Sequence, residues 1–271
     1  MLTLVSFNIN GLRARLHQLQ ALCEYLQPDI IGLQESKVAD ESFPTAAITS
    51  FGYLAHPYGQ KAHYGVALLS KTAPLSIQKG LPTDSLDAQR RLIIGRFLLD
   101  DGTPLHIING YFPQGESRQH PTKFINKQQF YADLITYLDT HHTPNDALIV
   151  MGDMNVAPED KDVGIGADNA RRWIQSGKCG FLPEERAWLR ALLAWGLYDS
   201  WRVFNPDITN EFTWFDYRSR GFERTPRRGL RVDLILVTAR VRDRLNAVGI
   251  DTITRSLPRP SDHCPVWISI I

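Results

Sequence analysis

Short apolar runs recur along the whole chain, at Leu2–Phe7, Ile30–Leu33, Gly65–Leu69, Leu92–Leu98, Leu105–Phe112, Ala147–Met151, Leu230–Val237 and Val266–Ile271. Each has the length of a strand. A longer period appears between several of them. Leu12, Leu16, Leu19, Leu22 and Leu26 fall three or four residues apart and predict a helix that Pro28 stops. Phe130, Leu134 and Tyr137 predict a second helix, and Trp188, Leu192 and Trp195 a third. The third opens with Pro183-Glu184-Glu185 and has Gly196 beyond its end. Proline suits the first helical position, and acidic side chains there face the positive end of the helix dipole. Asp168 to Ser176 predicts a short fourth helix ending at Gly177. Strands and helices therefore mix throughout, as in an α/β or α+β domain. With no low-complexity linker, charge block or repeat, one domain over 1–271 is the simplest organisation. Periodicity does not give the strand order.

The apolar runs end in polar residues. "LVSFNING" ends in Asn8 and Asn10, "DIIGLQES" in Gln34 and Glu35, and "LIVMGDMN" in Asp153 and Asn155. "HIINGYFPQ" carries Asn109, Tyr111 and Gln114, and "PSDHCP" places Asp262 and His263 before the last run. Residues two apart on a strand share a face, so Asp153 and Asn155 should point the same way if the strand runs through both, as should Asn8 and Asn10. If these ends converge on one rim, they gather carboxylates, amides, one tyrosine and one histidine. Such an oxygen-rich set suits Mg²⁺ or Mn²⁺ rather than a thiolate-binding metal. Taken singly, each has a plainer reading, the amides as turn formers and Glu35 as a solvated carboxylate. Asp233 differs, because it shares a strand face with Ile235 and Val237 and needs a partner if buried there. His263 is the natural candidate, since a carboxylate fixes an imidazole's tautomer and raises its pKa.

Composition narrows the classes. The 271 residues are 43% hydrophobic and 22% charged, enough for a sizeable core, and the formal net charge is +1. A polyanionic partner would therefore have to be met by local basic patches. Cys23, Cys179 and Cys264 show no zinc spacing or disulfide framework, which points to a reducing, cytoplasmic setting. The N-terminal sequence lacks a basic segment followed by a long apolar one, so no signal peptide is expected. No apolar stretch approaches the ~20 residues of a membrane span.

Nine blocks, "SFNINGLRAR", "GLQESK", "HYGVALLSK", "INGYFPQGESR", "MGDMN", "RRWIQSGKCGFLPEER", "WFDYRSRGF", "RGLRVDLIL" and "PSDHCPVW", resemble in order the motifs of the endonuclease/exonuclease/phosphatase superfamily. They span Ser6 to Trp267. "YFPQGESR", "WFDYRSRGF" and "LRVDLIL" resemble in particular its exonuclease III and abasic-site endonuclease branch. The resemblance implies a DNase I-like four-layer α/β sandwich, two packed mixed β-sheets flanked by helices, with the site at one edge between the sheets. It implies a monomer that hydrolyses phosphodiesters of double-stranded DNA at an abasic site, nick or 3′ end. The implied activities are 3′→5′ exonuclease, cleavage 5′ to abasic sites and removal of 3′ blocking groups.

Carried over by motif, Glu35 falls at the principal metal ligand, with Asn8 beside it and Asp262 across the site. Asp153 and Asn155 match the catalytic pair of "GDMN" and are further possible metal donors. Tyr111 matches the tyrosine at the scissile phosphate, Asp233 and His263 an Asp–His pair, and Trp214 an aromatic at the abasic or terminal nucleotide. In that chemistry Mg²⁺, or Mn²⁺, polarises the phosphate, and either Asp153 or His263 is the general base. One metal or two remain equally open. The basic tract Arg218 to Arg231, including Arg220 and Arg228, is a candidate DNA contact, as are Arg90, Arg91, Arg118, Lys123 and Gln114. The plainer alternative for each arginine is a solvated loop. Two rival functions are a superfamily phosphoesterase acting on RNA, lipid or inositol phosphates, and a DNA-binding module without activity.

Overall fold

The computed structural model describes all residues, 1–271. Twelve strands form two six-stranded sheets. The strands are β1 (Leu2–Asn8), β2 (Ile30–Gln34), β3 (Leu54–Tyr58), β4 (Val66–Ser70), β5 (Ser76–Lys79), β6 (Leu92–Leu98), β7 (Pro104–Tyr111), β8 (Ala147–Asp153), β9 (Leu197–Asp199), β10 (Asp233–Thr238), β11 (Leu245–Ile250) and β12 (Val266–Ile270). The first sheet has the order β11-β12-β1-β2-β4-β3 and the second β5-β6-β7-β8-β10-β9. Each contains one parallel pair, β1 with β2 and β7 with β8, at its centre, and every other pairing is antiparallel. A parallel pair needs a crossover, usually a helix. Helix α1 (Leu16–Tyr25) supplies the first and α2 (Lys123–His141) the second.

Alternation along the central strands sorts the core into layers. Leu4, Ile30, Val66, Ile149, Met151 and Ile235 pack between the sheets. The intervening Val5, Phe7, Ile31 and Leu33 face α1, while Leu148, Val150 and Leu236 face α2 and α3 (Pro183–Ala194). The result is helix, sheet, sheet, helix, the four-layer sandwich that the resemblance implied.

The four helical predictions correspond to helices, the first opening as a 3-10 turn at Leu12–Arg15 and the fourth forming the helix Ala167–Ser176. Two strand expectations change. The final segment of "LRVDLILV" is a strand only from Asp233, because Leu230 instead bridges Trp214 and Val163. Strands β1 and β8 stop at Asn8 and Asp153, so Asn10 and Asn155 are not on strands. Both adopt left-handed backbone, at φ 45° and 52°. This conformation is one that asparagine tolerates better than most residues.

The sheet register makes the rim. Tyr111 of β7, Asp153 of β8 and Asp233 of β10 are consecutive cross-strand partners. The end of β1 brings up Asn8 in the facing sheet, and Glu35 follows directly on the end of β2. Gly152 lets the strands meet here: its φ is 146°, and a Cβ would stand 1.9 Å from the Gly110 carbonyl oxygen. Gln34 and Asn109 do not reach the rim. They are fully buried between the sheets, where Gln34 Nε2 donates to Ser6 Oγ at 3.0 Å and Asn109 Nδ2 to the Leu33 carbonyl at 3.0 Å.

Candidate active site

Asp153 is buried at the end of β8, yet all its hydrogen-bonding partners are donors aimed from the rim. The turn that follows folds Asn155 back over it. The Asn155 backbone N–H donates to Asp153 Oδ1 at 2.9 Å and its Nδ2 to Oδ2 at 3.1 Å. Asn155 Nδ2 also donates to the Phe112 carbonyl at 2.9 Å, which fixes the amide's orientation. The two side chains thus converge through a left-handed turn rather than along a strand. Burial, with Asp233 and Glu35 nearby, raises the Asp153 carboxyl to about 7 despite the opposing pull of His263. A carboxyl so raised is poised to exchange a proton near neutrality.

Asp233 and His263 form the buried pair. His263 Nδ1 lies 3.0 and 2.9 Å from the two Asp233 carboxylate oxygens, to which it donates, and Nε2 lies 3.8 Å from Asp153 Oδ2. Burial alone would lower the imidazole's pKa. The carboxylates of Asp233 and Asp153 outweigh it and raise the pKa to about 10, so His263 is a cation at neutral pH. The chain positions it tightly: the His263 backbone N–H donates to Ser261 Oγ at 3.2 Å, and that hydroxyl donates to the Asn8 carbonyl at 2.7 Å.

Asn8 joins the two sheets. Its Nδ2 donates to Glu35 Oε1 at 3.0 Å and to Asp153 Oδ2 at 2.9 Å. Glu35 stands in left-handed backbone just past β2, at φ 51°, which turns its side chain toward the rim. Burial works against its charge, but Lys37, 2.9 Å from Oε2, and Asn8 outweigh burial and hold the carboxyl below its usual range. Ligand atoms of Glu35, Asp153 and His263 all lie within 4.8 Å of one another. Two oxygen donors around a shared amide fit a hard divalent cation, and an acidic cluster able to hold a metal is therefore present. Asp262 is not gathered into that cluster. Its Oδ1 accepts from Asn10 Nδ2 at 2.8 Å and its Oδ2 from Trp214 Nε1 at 3.0 Å, so it anchors the tryptophan.

Glu35, Tyr111, Asp153, Trp214, Asp262 and His263 line one cleft of about 310 Å³, with Gln114 and Asn155 also in its wall. Burial, with Glu35 and Asp153 beside it, raises the Tyr111 phenol well above its ordinary range, so it remains an O–H donor. Arg91 lies behind it. This guanidinium is buried, donates to the Tyr111 carbonyl at 3.1 Å, and stacks 4.7 Å from the Tyr111 ring centroid and 4.2 Å from that of Tyr64. Arg91 thus braces a site residue from within.

The other basic candidates divide by environment. Arg90 sits 5.4 Å from the Tyr58 ring centroid, 3.9 Å from Asp40. Arg118 pairs with Glu184, and Lys123 Nζ lies 2.7 Å from Glu116. Arg218 and Arg220 are exposed, and Arg228 reaches the Ile165 carbonyl. Arg231, counted above within the basic tract, is buried: it bonds Asp162 at 2.7 Å and Asp199 at 2.7 Å. It is therefore a structural cation and not part of a solvent-facing patch.

Three site features were not singled out by sequence reasoning. Lys178 and Trp173 line the cleft, with the Lys178 ammonium 3.8 Å from the Trp173 ring centroid. Lys127, fully buried, donates from Nζ to the carbonyls of Asn155 at 2.8 Å and Gln114 at 3.2 Å, and to Glu185 at 2.5 Å. The sequence around Lys127, "FINKQQ", reads as a solvated helix face and gives no hint of this. Lys178 lies inside the quoted "SGKCGF", between a helix-ending glycine and a core cysteine, which was the available signal.

A two-sheet sandwich whose shared rim carries an Asp–His pair, a second aspartate, a glutamate and two asparagines defines a class of phosphoester hydrolases. The chain belongs to the Endonuclease/Exonuclease/phosphatase family, whose model matches residues 5–263. It is 54% identical over 263 residues to "Exodeoxyribonuclease III" of Haemophilus influenzae, covering 97% of each chain. Among solved structures it resembles the 3′ phosphatase NExo from Neisseria bound to product DNA hairpin, at a TM-score of 0.89 and 36% identity with 100% of both chains covered. It equally resembles an AP endonuclease from Archaeoglobus fulgidus, at a TM-score of 0.89 and 31% identity, covering 100% of this chain and 99% of that one. The chain is an enzyme of a hydrolase family.

Proposed function

We propose that the protein is a DNA repair hydrolase that cuts phosphodiesters of duplex DNA at 3′ ends and 5′ to abasic sites, and clears 3′ phosphates and other 3′ blocking groups. The observation that carries this reading is the convergence of Glu35, Asp153 and His263 in one cleft walled by Trp214, with Asn8 bonded to both carboxylates from behind. The names of the similar proteins support the same substrate.

A phosphodiester is anionic, so the site must deliver water, quench charge on the phosphoryl oxygens and help the 3′ oxygen leave. Asp153, raised by burial, accepts the proton of the attacking water, while Asn155 holds the carboxylate's orientation. His263, kept cationic by Asp233, stabilises the charge that develops on phosphorus oxygens. The Tyr111 phenol donates a hydrogen bond to the same phosphate. We therefore place the general base at Asp153 and the charge-stabilising role at His263, whose pKa the two aspartates raise. Glu35 would hold the metal, with Asn8 setting its separation from Asp153. The ion we assign is Mg²⁺, with Mn²⁺ as substitute; when bound, it polarises the phosphate and neutralises the leaving oxyanion. Trp214 fills the space of a missing or terminal base. The protein acts as a monomer, and its three free, buried cysteines fit the cytoplasm.

A nicked duplex with a 3′-phosphate tests the assignment. In Mg²⁺ it should release inorganic phosphate and then shorten from that end. Persistence of the labelled 3′-phosphate strand in Mg²⁺ and in Mn²⁺ would overturn the reading.

A further inference from the structure

Trp214 does not close the cleft. Its far side lines a second depression of about 300 Å³ that also touches Trp173 and Lys178, so the two hollows share one wall. The second hollow contains three cations, Lys178, Arg224 and Arg228, against one carboxylate, Asp216. Each cation is held by a neutral group: Arg224 Nε donates to the Ser219 carbonyl at 2.9 Å, Arg228 donates to the Ile165 carbonyl, and Lys178 rests on Trp173. Neither arginine is in an ion pair, so their charges are left for a ligand, whereas Lys178 is attracted to Asp216. The loop that carries the arginines is built to hold them. The Arg228 backbone N–H donates to the Gly221 carbonyl at 2.9 Å, and a Cβ on Gly221 would stand 2.1 Å from the Arg228 carbonyl oxygen. Gly166 makes room for the guanidinium, since a Cβ there would lie 2.7 Å from Arg228 Nη2. Beyond it the surface stays basic, with Arg227 stacked 4.2 Å from the Phe222 ring centroid.

We propose that this second hollow is a phosphate subsite, in which Arg224 and Arg228 grip a phosphodiester of the same DNA strand next to the reacting one, across the Trp214 partition. The inference rests on the DNA reading above. Guanidinium groups suit a phosphodiester because they present paired N–H donors in one plane. A strand gripped on both sides of Trp214 is held in register, and the grip is paid in counterions, so it weakens with salt.

The test is anisotropy of a fluorescent duplex with one abasic-site analogue, in EDTA so that no hydrolysis proceeds. Arg224→Ala/Arg228→Ala should weaken binding about tenfold at moderate salt and lower the slope of log K against log salt by about one phosphate equivalent. A scan of single neutral methylphosphonates around the lesion locates the phosphate. One position should weaken the wild-type protein by about tenfold yet leave the double variant nearly unchanged. Arg224→Ala alone, at an exposed residue, should show part of the same position-specific effect and guards against a folding defect at Arg228. Equal sensitivity of wild type and variants at every position, or an unchanged salt slope, overturns the subsite. A wild type that binds in EDTA but does not cut in Mg²⁺ overturns the functional reading instead and leaves the binding comparison intact.

Discussion

At the residue scale, the site depends on charges that offset one another inside a buried rim. His263 is the clearest case, because its charge persists only through Asp233 and Asp153. Its folded pKa is raised above the value of a free imidazole, so its ionic contribution is fully present below about pH 6.5. That contribution fades as pH climbs through about 10. His263→Gln should therefore lower the melting temperature at pH 7 by several degrees, and the gap should narrow toward pH 10; urea or thermal melts across that range check it. A gap that widens with pH would mean the imidazole is neutral in the fold. In the proposed site Glu35 carries the metal side. Mg²⁺ at a hundred times its dissociation constant should stabilise the wild-type protein by about 2.7 kcal/mol, and Glu35→Ala should abolish that shift. A Mg²⁺-dependent shift retained in the variant removes Glu35 from the metal site.

At the element scale, what the sequence revealed and concealed follows from burial. The eight apolar runs are β1, β2, β4, β6, β7, β8, β10 and β12, the interior strands of both sheets. The four strands that no run announced, β3, β5, β9 and β11, are the four sheet edges. An interior strand is covered on both faces and reads as continuous apolar sequence, whereas an edge keeps one side wet. β3 even contains Pro57, which an edge tolerates because it needs no inward N–H. Among polar residues, the motif blocks exposed those at strand ends, including Glu35, Asp153 and His263. They did not expose the pairing of Arg231 with Asp162, 69 residues away, nor that of Lys127 with Glu185, 58 residues away. Long-range ion pairs leave no local period. The Asp162 network also makes a prediction. Burial opposes ionisation of Asp162, but Arg231 and Arg202 outweigh it and lower the carboxyl below its usual range. Its stability contribution is present above the unfolded carboxylate pKa and is lost as pH falls through the lower folded value. Asp162→Asn should therefore cost about 3–5 kcal/mol at pH 7 by urea unfolding, with a smaller difference from wild type at pH 3. An undiminished difference at acid pH would show that the network acts through packing alone.

At the scale of the whole molecule, two sheets with the same pattern of one central parallel pair meet face to face, and their strand ends share one rim. Neither sheet alone holds the chemistry: Asn8 and Glu35 come from one, Tyr111, Asp153 and Asp233 from the other, and Asn8 bridges them. In the proposed reaction this shared rim hydrolyses DNA, with Asp153 taking the proton from water. The most direct measurement is incision of an end-labelled duplex carrying a single abasic site, by wild type and by Asp153→Asn, in Mg²⁺ and after EDTA. The wild type should cut immediately 5′ to the site in Mg²⁺ and stop in EDTA, and Asp153→Asn should fall by about 10²–10⁴ in kcat. Its KM should change much less. Incision by Asp153→Asn at the wild-type rate, or wild-type cutting that continues in EDTA, would contradict the account.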